Sequence, residues 1–383
     1  MRILISAGEA SGEMYGAQLI EALRRRDLSL QFFGAGGERM RAAGCEIVVD
    51  AKDLAVVGIT EVLSRLPKIY GLFHRLIAEA DRRKPDLAVV IDSPAFNWRV
   101  ARRMHKRGIP VVYYVCPQFW AWRQGRVKLL RKYVNKALVI FPFEEKFYRD
   151  RGVDATFVGH PLADLPTPTI TREAYAAEHA LDAAKPWITL MPGSRRKEVR
   201  MNLPTILEAA NRMGSGYEFL LPVARTLEPR FLKGLMETQQ AASLRGRLGV
   251  HLVPEALPAL FHSRAGIVAS GTATVEAALM GTPFVMVYRV SPVTYAVGRP
   301  QVKVPHFAMV NLIAGEEIVP ELVQHKFTAG NIVREMNKII PDGEPRACMI
   351  ERLAEVKARL KQGSGAGKHA WETAAEIIMQ MIR

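Results

Sequence analysis

The sequence predicts an α/β protein of two doubly wound, parallel-sheet domains. Three observations carry that expectation: short apolar runs alternate with amphipathic helical patterns, the alternation stops at a proline-rich stretch and restarts, and 383 residues suit two cores better than one. In the first half the apolar runs are 3–6, 31–33, 87–91, 111–115 and 137–141, with helical patterns over 14–26 and 97–107. Runs of this length bounded by Gly, Asp and Pro read as strands buried on both faces. The stretch 161–168, PLADLPTP, reads as the interdomain connection, because prolines remove backbone donors and disfavour helix before them. Strands resume at 187–191, 218–222, 251–253, 265–270 and 283–288, with helices to about 213 and from about 274. From 346 two amphipathic helices flank Gly363-Ser364-Gly365-Ala366-Gly367, whose glycines would be costly inside a helix. The expected domains are therefore 1–165 and 166–345, with 346–383 packing back toward the N-terminal domain.

Composition narrows the function classes. No run approaches the ~20 apolar residues of a bilayer span, and no secretory signal opens the sequence, so a cytoplasmic protein is expected, at most peripheral to a membrane. Cys45, Cys116 and Cys348 are far apart in sequence and form no CxxC pair, which argues against zinc and a disulfide framework and for ordinary buried thiols. A net charge of +15 favours an anionic partner. Zinc-finger spacing, RNP-type strands and basic-zipper heptads are all missing, so nucleic acid is not expected.

The candidate site residues sit where predicted strands give way to helices. Gly8-Glu9-Ala10-Ser11-Gly12-Glu13 follows the first strand without dinucleotide spacing. Its two carboxylates would repel a pyrophosphate; they suit sugar hydroxyls and equally suit a helix N-terminus. Pro192-Gly193-Ser194-Arg195-Arg196-Lys197 is the opposite case. Three cations at a helix N-terminus are unfavourable unless an anion, such as a diphosphate, sits among them, although a solvated basic turn costs little. In Ser270-Gly271-Thr272-Ala273-Thr274-Val275-Glu276, amides and hydroxyls could hold phosphate while Glu276 takes a ribose or serves as a first-turn acid. Asp92, in Asp92-Ser93-Pro94, stands at the carboxyl edge of the sheet, where it could be a general base or begin an Asx-turn. Trp120 and Trp122, beside Arg123, could form a platform for a sugar or acyl chain, or simply pack. His160 reads as structural.

Taken together these blocks resemble the lipid-A-disaccharide synthase family. The matching segments are GEASGE at 8–13, Met40, IDSP at 91–94, FWAWR at 119–123, PFE at 142–144, GHP at 159–161, PGSR at 192–195 with Glu198, SGTATVE at 270–276, Tyr288-Arg289, and VNLIAGEEIVPELVQ at 310–324. The departures are Ala95 and Glu13, where aspartate is usual, Val310 in place of proline, and Asn135 near a usual acid. The resemblance implies a glycosyltransferase B architecture, two Rossmann-like domains facing across a cleft, with the donor nucleotide in the C-terminal one. It implies an inverting, metal-independent enzyme that needs no cofactor. The implied substrates are UDP-2,3-diacylglucosamine and 2,3-diacylglucosamine 1-phosphate (lipid X), joined by a β-1,6 link with release of UDP. Asp92 would be the base; Gly193, Ser194, Arg195, Ser270, Gly271, Thr272, Glu276, Tyr288 and Arg289 the donor site. Glu9, Ser11, Gly12, Trp120, Trp122 and Asn311 would line the acceptor side. Such substrates imply work at the inner face of the inner membrane. Residues 54–79 mix apolar side chains, among them Val56, Val57, Leu72 and Phe73, with Arg65, Lys68, His74 and Arg75, as a helix lying on anionic lipid would, though Pro67 and Gly71 interrupt it. Self-association into a homo-oligomer is compatible with the sequence. The rival readings are a peptidoglycan N-acetylglucosaminyl transferase or UDP-sugar epimerase of the same architecture, and a non-catalytic basic anion-binding module.

Overall fold

The structure is a computed structural model that describes residues 1–54, 59–164, 166–224, 226–241, 249–364 and 367–382. It divides into two compact units, 1–164 with 359–383, and 165–358. The boundary after Asp164 falls in the proline-rich stretch, whose first residues, Pro161–Asp164, wind into a 3-10 turn.

The first unit is a seven-stranded sheet with helices between its strands. In order it comprises β1 (Arg2–Ala7), α1 (Ala10–Arg26), β2 (Gln31–Gly36), α2 (Glu38–Ala42), β3 (Cys45–Asp50), α3 (Ala51–Leu54) and α4 (Ile59–Arg83). There follow β4 (Leu87–Ile91), α5 (Pro94–His105), β5 (Val111–Tyr114), α6 (Val127–Tyr133), β6 (Lys136–Val139), α7 (Pro142–Arg149) and β7 (Ala155–Phe157). The strand order is β3-β2-β1-β4-β5-β6-β7, every pairing parallel, with Ile3 opposite Leu87 and Ala88 opposite Val111. All five residues of β4 are buried, which is why its sequence is a continuous apolar run rather than an alternating one.

The second unit repeats the plan. Its elements are α8 (Arg172–His179), β8 (Trp187–Met191), α9 (Arg196–Met213), β9 (Glu218–Pro222), α10 (Pro229–Ala241), β10 (Val250–Val253), α11 (Ala256–His262), β11 (Ala265–Ala269) and α12 (Thr272–Leu279). Then come β12 (Phe284–Tyr288), α13 (Pro292–Gly298), α14 (Met309–Ala314), β13 (Glu321–Val323), α15 (Ala329–Ile339) and α16 (Glu344–Lys361). Its sheet runs β10-β9-β8-β11-β12-β13, again all parallel. In both sheets the order reverses beside the first strand, at β1/β4 and β8/β11, and such switch points open a crevice at the carboxyl ends of the strands.

Several expectations change. The C-terminal tail is shared out: the units divide after Ala358 within α16, and only the chain from Arg359 onward, including α17 (Ala370–Ile382), groups with the first unit. There α17 packs on α1, with Arg26 bonded to Glu376 at 3.1 Å. Cys45 and Cys116 are buried, but Cys348 is exposed on α16. Helix α4 runs through Pro67 and Gly71 without interruption. Of the membrane-facing candidates, Val56 and Val57 lie outside the described residues, as do the side chains of 59–66. Phe73 belongs to the core: it is 7% exposed and meets Phe96 edge to face at 6.0 Å, beside buried Leu76 and Ile77. Lys68, Tyr70, His74 and Arg75 remain exposed on that helix.

Candidate active site

In the first unit, the loops after β1 and β4 meet at the switch point. Glu9 is the N-cap of α1 and makes no side-chain cap bond; it and Ser11 are exposed, whereas Gly12 is buried beside the backbone of Ile91. A Cβ at Gly8 would overlap the hydroxyl of Ser93, so glycine there lets the two loops close on each other. Glu13 is committed to structure: its Oε1 accepts from the Arg39 amide at 2.8 Å, in the first turn of α2. It stands in the first turn of its own helix, as expected, and bonds the N-terminus of another.

Asp92 and Ser93 both occupy the left-handed region, at φ 47° and 45°. Two consecutive non-glycine residues there carry strain that persists only when their surroundings fix it. Those surroundings are buried polar groups. Asn97, fully buried on α5, donates Nδ2 to the carbonyls of Ser6 (3.1 Å), Ile91 (2.8 Å) and Asp92 (3.0 Å) and accepts the Ser6 hydroxyl at 2.7 Å. The Tyr113 hydroxyl also donates to the Asp92 carbonyl, at 2.9 Å. Asp92, half-buried at the strand end, is thereby held by its backbone at the sheet edge.

The two tryptophans part company. Trp120 is 3% exposed and donates Nε1 to Glu144 Oε1 at 2.7 Å, with Phe143 edge-on at 4.8 Å. Glu144 is fully buried; its Oε2 accepts the amides of Ile140 and Phe141 at 3.1 and 3.0 Å. Burial pushes its carboxyl up to about 7 against the downward pull of those bonds. Trp120 thus anchors the loop, and the expected sugar platform reduces to Trp122, 45% exposed with the Arg123 guanidinium 4.3 Å from its ring centre. His160 is buried, accepts from the Leu162 amide at 3.1 Å, and is pushed down to about 3 by burial, which makes it a structural imidazole.

In the second unit the loops after β8 and β11 lie at the corresponding switch point. Gly193, at φ 120°, leaves no room for a Cβ beside Glu198. Ser194 and Arg195 are exposed, and Arg195 is the N-cap of α9. The anion expected among its cations is partly built in: Arg195 pairs with Glu198 at 2.9 Å and Arg196 with Glu228 at 2.7 Å. Two of the three cations thus have acidic partners, and Arg195 stays 67% exposed.

The segments after β11 and at the end of β12 carry the remaining donor-site candidates. Gly271 is the N-cap of α12, Thr272 is exposed, and Ser270 donates to the Phe307 carbonyl at 2.7 Å. Glu276 is half-buried; its carboxylate makes no hydrogen bond or ion pair among the described residues, and burial pushes it up to about 7. A carboxylate so placed can accept from hydroxyl donors. Tyr288 stacks on Phe307 at 5.7 Å. Arg289 turns inward, donating to Thr205 Oγ1 at 2.9 Å and to the Phe327 carbonyl, so it braces the sheet edge. Asn311 is likewise interior. Its Nδ2 donates to the Val319 carbonyl and Glu321 Oε1, both at 2.9 Å, while its Oδ1 accepts the amides of Ile318 and Val319. Glu321 in turn accepts the amides of Phe307 and Ala308, so this pair fixes the segment that receives Ser270.

Asn97, Asn202, Glu144 and Glu321 went unassigned in the sequence. The usable signal for Asn97 was a polar residue between Phe96 and Val100 on the apolar face of a helix that begins directly after Asp92. Asn202 repeats the device in the second unit, donating to the Pro192 carbonyl at 2.9 Å.

Two parallel-sheet α/β units, each with a switch point beside its first strand, are the glycosyltransferase B architecture. Solved structures agree on the fold: the glycotransferase of kitacinnamycin (16% identity, TM-score 0.65) and a UDP-GlcNAc 2-epimerase from Neisseria meningitidis bound to UDP-GlcNAc (14%, TM-score 0.63) each match over 100% of this chain and 99% of theirs. A family model for lipid-A-disaccharide synthetase matches residues 3–374. The lipid-A-disaccharide synthase of Koribacter versatilis (strain Ellin345) is 54% identical over 384 residues, covering 100% of this chain and 99% of that one. The chain belongs to the lipid-A-disaccharide synthase family, and so to the glycosyltransferases.

Proposed function

We propose that the chain transfers 2,3-diacylglucosamine from its UDP donor to the 6-hydroxyl of lipid X, inverting the anomeric centre and releasing UDP. The observation that carries this reading is Asp92, held on a strained turn at the switch point with exposed Glu9 and Ser11 on the neighbouring loop. Asp92 takes the proton of the acceptor hydroxyl as that oxygen bonds to the anomeric carbon and the bond to the diphosphate oxygen breaks. In the second unit the amides of Gly193, Ser194, Gly271 and Thr272, with Arg195, hold the departing diphosphate. Glu276 accepts the ribose hydroxyls. Glu9, Ser11, Gly12 and Trp122 meet the acceptor sugar, while Trp120, Arg289 and Asn311 position the loops. Incubating the chain with UDP-2,3-diacylglucosamine and lipid X in detergent micelles, with mass detection of the disaccharide 1-phosphate, tests the reading. Failure to form it while UDP-GlcNAc is epimerised would transfer the site to the rival chemistry.

Arg195→Ala will weaken UDP binding by about 1.5–3 kcal/mol through loss of a charge-assisted contact. Equal affinity in calorimetry would leave Arg195 as a partner of Glu198 only. For Glu276 the sign follows from its carboxyl at about 7. Ribose hydroxyls donate to the ionised form, so binding lowers the pKa and releases a proton near neutrality, and UDP affinity rises as pH climbs from about 6 to about 8. Glu276→Gln removes that component and leaves only the nucleotide's own titration. Identical pH profiles for the two proteins would take Glu276 out of the ribose site.

Acylated substrates also place the work at a bilayer. No helix among the described residues is long and apolar enough to cross one, and exposed Lys68, Tyr70, His74 and Arg75 on α4 support contact from the inner leaflet.

A further inference from the structure

The second unit has an exposed segment that none of the site chemistry uses. Helix α13 leaves β12 just past Tyr288, at the same sheet edge as Ser270 and Gly193, and leads into a 3-10 turn, Arg299–Gln301. Val293 and Val297 lie one helical turn apart on one face and are 75% and 65% exposed. Pro292 and Pro300 are exposed beside them. Arg299 and Lys303 are exposed and enter no ion pair among the described residues, whereas Arg352 and Arg196 elsewhere on this unit pair with Glu316 and Glu228. The sequence from 277 to 315 contains no Asp or Glu at all.

We propose that residues 292–304 form a lipid-contacting face of the second unit, whose partner is an anionic phospholipid surface. This rests on the acylated-donor reading above and adds a contact in the donor unit, separate from α4. Charge complementarity selects the occupant. An identical copy docking here symmetrically would set Arg299 and Lys303 against themselves, and exposed valines offer nothing to a nucleic acid. Anionic headgroups neutralise the two cations while the valines enter the acyl boundary. A donor sugar held at the Ser270 edge would then have its acyl chains beside the bilayer they came from.

The test uses the full chain in flotation with phosphatidylcholine vesicles, with and without phosphatidylglycerol, at low and high salt. Arg299→Gln/Lys303→Gln will lower partitioning onto phosphatidylglycerol vesicles by about tenfold at low salt and little at high salt. Val293→Ser/Val297→Ser will lower it severalfold at both. Both variants will keep wild-type turnover in detergent micelles and wild-type thermal midpoints, because all four side chains are at the surface. Wild-type flotation by both variants, or no flotation of the wild type, overturns the proposal without touching the glycosyl transfer assigned above. Loss of self-association in sedimentation velocity, with flotation unchanged, would give this face to a second copy. Absence of disaccharide from wild type in micelles is the separate failure of the functional reading.

Discussion

Asp92→Asn will lower turnover by roughly 10²–10⁴-fold while UDP affinity stays within about twofold. The substitution is chosen for the backbone it must occupy. Asparagine tolerates the left-handed region better than most residues, so it keeps the φ of 47° that a bulkier replacement would disturb. The carbonyl bonds from Asn97 and Tyr113 involve the main chain of residue 92 and survive the change. What disappears is the negative charge of the carboxylate and with it the capacity to accept a proton. Steady-state kinetics with disaccharide detection, beside calorimetry with UDP, separates the two effects. Near-normal turnover in a folded variant would move the base elsewhere, with Glu9, exposed on the adjoining loop, as the neighbouring carboxylate.

The strands that position Asp92 were legible because they are buried on both faces and therefore spelled as apolar runs; 87–91 coincides with β4 to the residue. β7 and β13 were not, since three residues carry no periodicity and their extended form comes from pairing with β6 and β12 at the sheet's rim. The site divided in the same way. Loop residues at strand ends were readable from position and charge. Inward-facing partners were not, because no charge pattern distinguishes Asn311 lining a ligand site from Asn311 tying two amides and a carbonyl in the interior. Arg195 illustrates the limit of charge reasoning: three cations at a helix N-terminus suggested a ligand, but Glu198 lay one turn ahead and already answers the first of them.

Asn97→Ala will cost about 2–4 kcal/mol of stability and lower turnover by roughly 10–10²-fold, with UDP affinity unchanged. The stability loss follows from burial. Asn97 is 0% exposed, and without its amide the Ser6 hydroxyl and the carbonyls of Ser6 and Ile91 lose a partner where little water can replace it. The kinetic loss follows from strain, since Asp92 and Ser93 hold left-handed dihedrals only while the network holds them. Releasing the turn lets the carboxylate drift, and a displacement near 1 Å at a catalytic group suffices for such a rate loss. Asn97→Asp provides the second measurement. It keeps an oxygen for the Ser6 hydroxyl but brings an anion against three carbonyl oxygens, so it should be less stable than the alanine variant. A lower denaturant midpoint together with a reduced kcat and unchanged UDP binding is the expected result. A lower midpoint with full kcat would show that Asn97 supports the fold alone and that Asp92 keeps its position by other means.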